Sequence, residues 1–134
     1  MNAKEEVMTV TIGVFSGRPN PTFDLEGARA DELASLLSRV IGVDTANPPP
    51  AAQLGVYYGF LVQPRADAQG RRAAGRRFTV YRGVVTTGDD KQPQHWRDGA
   101  GVESFLAERA AEAGFGSLLR EAGAQISAPK ELPR

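Results

Sequence analysis

The sequence predicts an α+β fold, a small two-layer sandwich in which three to four mostly antiparallel strands carry two to three helices on one face. Three observations predict it. Apolar and polar residues alternate near the N-terminus, apolar residues recur at helical spacing in two later stretches, and two segments between those stretches are rich in strand formers. The resulting order, β-α-β-β-α-α, suits a sheet covered on one side. With 134 residues the chain fits a single domain.

The first strand and the first helix have the clearest periodicity. Apolar residues alternate with polar ones over residues 8–14, as in a strand with one buried face. Helical spacing follows over about residues 26–41, and Gly42 is typical of the position just past a helix. Because this helix separates the first two strands, they can be parallel neighbours joined by a right-handed crossover.

Two further strands are predicted in the middle of the chain. Residues 56–62 are apolar on both faces, which favours a central strand, and residues 77–85 form the third strand. The segment 64–76 between them is too long for a tight turn and is expected to be a mobile basic hairpin loop. The prolines of segment 47–50 predict an extended connector on the surface.

The C-terminal part of the chain predicts a connector followed by two helices. Residues 86–100 are polar and are interpreted as a connector. A helix follows that ends at Gly114, and a short helix ends at Gly123. We expect flexible ends over residues 1–6 and 128–134.

Composition excludes several chemistries. The chain has no cysteine, which excludes a disulfide scaffold, a thiolate nucleophile, a zinc finger and an iron–sulfur cluster. A net charge of zero provides no overall field toward nucleic acid or an anionic membrane. No apolar run reaches the roughly 20 residues of a membrane span, and the charged N-terminus lacks the apolar core of a signal peptide, so a cytoplasmic protein is predicted.

The segment Phe15–Phe23 is the most informative stretch, because two prolines stiffen a loop between a strand and a helix. Pro19 and Pro21 lack the N–H groups that a phosphate cradle needs, and Ser16 is one position out of register for a nucleophile elbow. The prolines orient Arg18 and Asn20, which are predicted to bind a ligand. The alternative is structural: Arg18 pairs with a nearby acid and Asn20 closes a turn.

Aromatic residues and the single histidine are the remaining candidates. Tyr57 and Tyr81 are predicted ligand contacts on an exposed sheet face. Trp96, in the polar connector, is predicted to form the wall of a ligand pocket with His95, although it also suits a plug at the core edge. Candidate catalytic groups are His95, Asp24 and Tyr58. No cofactor and no metal are predicted, since the acids around His95 match no ligand spacing.

The leading hypothesis is a small ligand- or partner-binding domain that uses the rigid loop Ser16–Pro21 and the exposed sheet face. Its partner is a small molecule or a protein, no membrane is involved, and an open edge strand allows a homodimer. The alternative is a cofactor-independent enzyme that uses acid–base chemistry on an anionic or polar small molecule. A weaker alternative is an RNA-binding accessory module. The arginines of segment 64–76 have no interleaved aromatics for base stacking, which argues against nucleic acid as the partner.

Overall fold

The computed structural model describes residues 7–14, 19–49, 57–65, 69, 77–88 and 91–123. Within these residues the chain forms one six-stranded antiparallel sheet, in the order β2-β1-β3-β4-β5-β6, and three helices. The elements are β1 (Met8–Ile12), β2 (Thr22–Leu25), α1 (Ala28–Ser38), β3 (Phe60–Pro64), β4 (Phe78–Tyr81), β5 (Val84–Thr87), β6 (Gln94–Arg97), α2 (Val102–Glu112) and α3 (Gly116–Glu121). The α+β class is confirmed, but the expected three to four strands were too few.

The sheet gains its extra strands where the sequence predicts a loop, one long strand and a connector. Strand β2 begins within the segment interpreted as the opening loop, and β6 lies in the predicted connector 86–100. The predicted strand 77–85 is two strands, β4 and β5, joined at Arg82 and Gly83. Both turn residues have positive φ, 52° and 78°, which is the geometry of a two-residue hairpin turn.

The first two predicted strands correspond to β1 and β3, which are neighbours as expected but run antiparallel, so the predicted parallel direction was wrong. Strand β1 is antiparallel both to β2 and to β3, which lie on either side of it. The hairpin from β1 to β2 reverses the chain before helix α1 begins. The crossover through α1 therefore joins β2 to β3, which run parallel to each other with β1 between them.

One face of the sheet is buried against the helices. Val10, Val62, Val80 and Val85 are 0% exposed and belong to the same apolar core as residues of α1 and α2. The helical residues in this core include Leu33, Phe105, Leu106 and Ala110. Helix α1 is shorter than the predicted 26–41, although Val40, in the turn after it, is still buried. No helix in the described part of the chain is long and apolar enough to cross a membrane.

The opposite face, which we call the open face, has no described helix packed on it. Residues paired across neighbouring strands point to the same side, so the register defines a row that crosses all six strands. That row is Thr22, Thr11, Leu61, Thr79, Thr86 and His95. Its side chains are half-buried or exposed, whereas the residues that flank the row in β1, β3 and β4 are buried.

Candidate functional site

The described part of the opening loop is attached to the end of the sheet through Asn20. The Asn20 side-chain oxygen accepts a hydrogen bond from the Val14 backbone N–H at 3.0 Å. The Asn20 amide nitrogen donates to the Tyr58 hydroxyl at 2.6 Å. The predicted ligand residue Arg18, with the rest of segment 15–18, lies outside the described residues. Asn20 therefore fixes the loop to the residues that precede β3.

Tyr58 lies over the backbone just after β1. The backbone N–H of Tyr58 donates to the Gly13 carbonyl at 2.7 Å. A Cβ atom on Gly13 would lie 2.6 Å from the Tyr58 ring, so this position accepts no side chain without movement. Because Ile12 points into the core, a Cβ on Gly13 would point to the open face. Tyr58 and Asn20 therefore lie at one end of that face.

Arginines lie at the other end of the open face. Arg65 follows the buried residue Pro64 and Arg77 precedes the core residue Phe78, so alternation places both arginines on the open side. The guanidinium of Arg65 is 3.4 Å from the Asp24 carboxylate, which also accepts a hydrogen bond from Thr9 at 3.1 Å. Arg71, Arg72 and Arg76 and most of the predicted loop 64–76 lie outside the described residues.

Tyr57, one of the predicted ligand contacts, is a core residue with only 5% exposure. Its hydroxyl donates to the Glu103 carboxylate at 2.5 Å. Burial, and then the charge of Glu103, raise the pKa of Tyr57 far above its ordinary value. Its ring centre is 5.8 Å from that of Tyr81, which is half-buried. Tyr57 is thus committed to an internal contact.

Glu103, which the sequence analysis does not single out, is a buried carboxylate with 4% exposure. Besides Tyr57 it accepts hydrogen bonds from the backbone N–H groups of Arg82 at 3.2 Å and Gly83 at 2.9 Å. Its own N–H donates to Asp98, whose carboxylate also accepts from two neighbouring N–H groups at the start of α2. We call Tyr57, Arg82, Gly83, Asp98 and Glu103 the hairpin anchor.

His95 and Trp96 lie on opposite faces of the edge strand β6. The indole N–H of Trp96 donates to the Thr87 hydroxyl at 3.0 Å, and Trp96 pairs with the core residue Val85. His95 lies on the open face, where its Nδ1 is 2.9 Å from the Thr86 hydroxyl. Half-buried Trp96 packs against the core, which agrees with the alternative interpretation as an edge plug.

The three candidate catalytic residues are spread across the sheet. Asp24 lies on the edge strand β2 and His95 on the opposite edge strand β6. Five strand intervals of about 4.8 Å separate them by roughly 24 Å. Tyr58 lies two residues before β3, which is three intervals or roughly 14 Å from β6. Catalytic proton transfer needs contact at about 3 Å, so the structure does not bring these groups together.

Comparisons with known proteins add no relative. No family model, no curated protein and no solved structure matches the chain. Among the described residues, no three histidine or acidic side chains are grouped so that they could hold a metal ion.

Proposed function

We propose that the protein is a binding domain that recognises a protein partner through the open face of its sheet. The observation that carries the proposal is the row of side chains from Thr22 to His95, which runs across all six strands without a described helix covering it. Its threonine hydroxyls donate and accept hydrogen bonds, and Leu61 adds an apolar side chain near the middle. Such a surface can bind a partner without catalysing a reaction on it.

The shape of the open face favours a protein over a small molecule. Small-molecule sites are concave, whereas this surface is the face of a sheet. It extends for roughly 24 Å across the strands and for roughly 13 Å from Thr9 to Gly13, or about 300 Å². A standard protein interface buries about 800 Å² on each partner, so the ends of the face must also contribute. They are the Asn20–Tyr58 end and the arginine end.

The charge at the arginine end indicates the chemistry of the partner. Residues 63–77 carry five arginines against the single acid Asp67. Arg65 and Arg77 place the described part of this charge beside the face. Arg65 forms an ion pair with Asp24, but the two side chains are 56% and 38% exposed, and ion pairs this exposed contribute little to stability. We therefore infer a partner with carboxylates that meet this end, guided by charge complementarity.

A photo-crosslinking experiment tests the proposal. A photoreactive amino acid replaces Thr79, which is exposed at the centre of the row, or Ala34, which is exposed on helix α1. The crosslinked protein is identified, purified and titrated against the wild type, Thr79→Arg and the matched control Ala34→Arg. We expect Thr79→Arg to weaken binding at least tenfold, about 1.4 kcal/mol, with no effect from Ala34→Arg. Equal affinities for both variants, or no adduct from Thr79, would refute the proposal.

A further inference from the structure

The two edges of the sheet differ in whether described residues pair with their outer side. The outer edge of β6 is covered by residues 44–46, which act as a short extra strand. Ala46 donates its N–H to the His95 carbonyl at 3.0 Å, and Arg97 donates to the Asp44 carbonyl at 2.8 Å. Strand β2 at the other edge pairs with β1 only, and no described residue pairs with its outer side.

The register shows which groups of β2 are left without a strand partner. The Ile12 N–H donates to the Pro21 carbonyl at 2.9 Å, so Pro21 faces β1 with its backbone. Backbone direction alternates along an antiparallel strand, so Phe23 and Leu25 also face β1. Thr22 and Asp24 therefore point their N–H and C=O groups outward, and together present two donors and two acceptors.

The charge of Asp24 does not protect this edge. Edge strands commonly carry a charge that discourages another strand from pairing. Here the Asp24 carboxylate is bound to Thr9 and Arg65, both on the open face. It is turned along the sheet rather than outward, so the backbone groups of β2 can be approached.

A pocket of about 280 Å³ lies beside the same edge, between β2, the start of α1 and the end of α2. Phe23, Leu25 and Ala113 give it apolar walls. The pocket is also lined by charged residues, which are Asp24, Glu26, Arg29, Arg109 and Glu112. Arg109 is 2.9 Å and Arg29 is 3.5 Å from the same Glu112 carboxylate oxygen, whereas the buried Nε of Arg109 has no hydrogen-bond partner among the described residues. The three apolar walls of the pocket suit an apolar side chain.

We propose that β2 binds an extended peptide segment of a partner protein as a seventh strand, with one large apolar side chain in the adjacent pocket. Backbone hydrogen bonds to Thr22 and Asp24 supply affinity, and the pocket selects the side chain. The chain already uses the same mode at β6, where residues 44–46 pair with the other edge. Thr22 belongs to both surfaces, with its side chain in the open-face row and its backbone at the edge, but the inference does not depend on the open-face function.

Selection from a random peptide library displayed on phage tests this inference. Enriched peptides, made synthetically, are titrated into isotope-labelled protein while backbone amide signals are followed by NMR. We expect a shared large apolar residue, a Kd at or below about 1 mM, and the largest shifts at Thr22 and Asp24. Failure to enrich any peptide, or shifts centred on Thr79 instead of Thr22, overturns the inference. The second outcome would at the same time support the proposed open-face function.

Two variants separate the backbone and pocket contributions. Thr22→Pro removes one outward N–H and leaves the hydrogen bonds to β1 intact, since proline is tolerated when its nitrogen faces solvent on an edge strand. Ala113→Phe fills the pocket from an exposed position. Each variant should lower the affinity for the selected peptides about tenfold or more, while its circular dichroism spectrum stays unchanged. Unchanged affinity in Ala113→Phe would contradict the inference even if Thr22→Pro did not fold.

Discussion

Replacing Glu103 by alanine should destabilise the protein more than any change on the surface of the same helix. Glu103 is 4% exposed and accepts three hydrogen bonds, from Tyr57, Arg82 and Gly83. Arg82 has a φ of 52°, a conformation that costs a side-chain-bearing residue about 1–2 kcal/mol. The carboxylate helps to hold that turn closed, and alanine leaves all three donors without it.

The expected loss follows from where each donor lies. The Tyr57 hydroxyl is buried and cannot regain water, so losing its charged acceptor costs about 2 kcal/mol. Arg82 and Gly83 are exposed turn residues whose N–H groups can turn to water, so each contributes about 1 kcal/mol. The total is about 4 kcal/mol, a large part of the roughly 5–15 kcal/mol that stabilises a typical domain.

Urea unfolding followed by the fluorescence of Trp96, the only tryptophan, measures this loss. Glu108→Ala is the matched control, because Glu108 lies on the same helix with a side-chain exposure of 69% and should change stability by less than about 0.5 kcal/mol. Tyr57→Phe should cost about 1–2 kcal/mol. If Glu103→Ala falls within about 1 kcal/mol of Glu108→Ala, the hairpin anchor does not stabilise the fold as argued.

Three further predictions concern neighbouring features. Asp98→Ala removes an acceptor from three N–H groups at the start of α2 and should lower the free energy of unfolding by about 2 kcal/mol in thermal or urea unfolding; no change would show that water replaces it. Because its pKa is raised, Tyr57 keeps its proton in the folded state while the unfolded chain ionises near pH 10, so stability should fall above that pH by about 1.4 kcal/mol per unit. Tyr57→Phe should lose this slope, and equal slopes in urea titrations would contradict the assignment. Gly13→Ala should cost about 1–3 kcal/mol because its Cβ meets the Tyr58 ring, whereas Gly99→Ala, with nothing within 4 Å, should be nearly neutral by the same assay.

Periodicity predicts the elements whose buried face can be recognised from their own residues. Strand β1 and helix α2 each alternate or repeat apolar residues strongly enough to be found without their partners. Strands β2 and β6 are four residues long, and three of the four residues of β6 are polar. They form strands because their neighbours supply hydrogen bonds. Strand β2 pairs with β1, and β6 pairs with β5 and with residues 44–46. Local sequence contains none of that information.

The contacts around the candidate site, including the hairpin anchor, were harder to predict for the same reason. The role of Glu103 depends on a turn about 20 residues earlier and on Tyr57, 46 residues earlier. In the sequence it is an acid in the first turn of an amphipathic helix, a position normally exposed to water. The only local signal was the Arg82–Gly83 pair between two groups of strand formers. Asn20, by contrast, is singled out by the flanking prolines in the sequence; it contacts Val14 and Tyr58, and its use as a ligand contact stays a prediction.

The position of β1 has a consequence for how the chain folds. This strand lies near the N-terminus in sequence but inside the sheet in space, with Met8 paired to Pro64. Closing that contact requires ordering a loop of more than fifty residues, which is entropically costly and typically slow. During synthesis, β1 and its hairpin partner β2 leave the ribosome well before β3. Their apolar face therefore stays exposed until β3 has been made. A nascent chain stopped before residue 60 should therefore remain sensitive to protease, whereas release of the full chain should bring protection in one cooperative step.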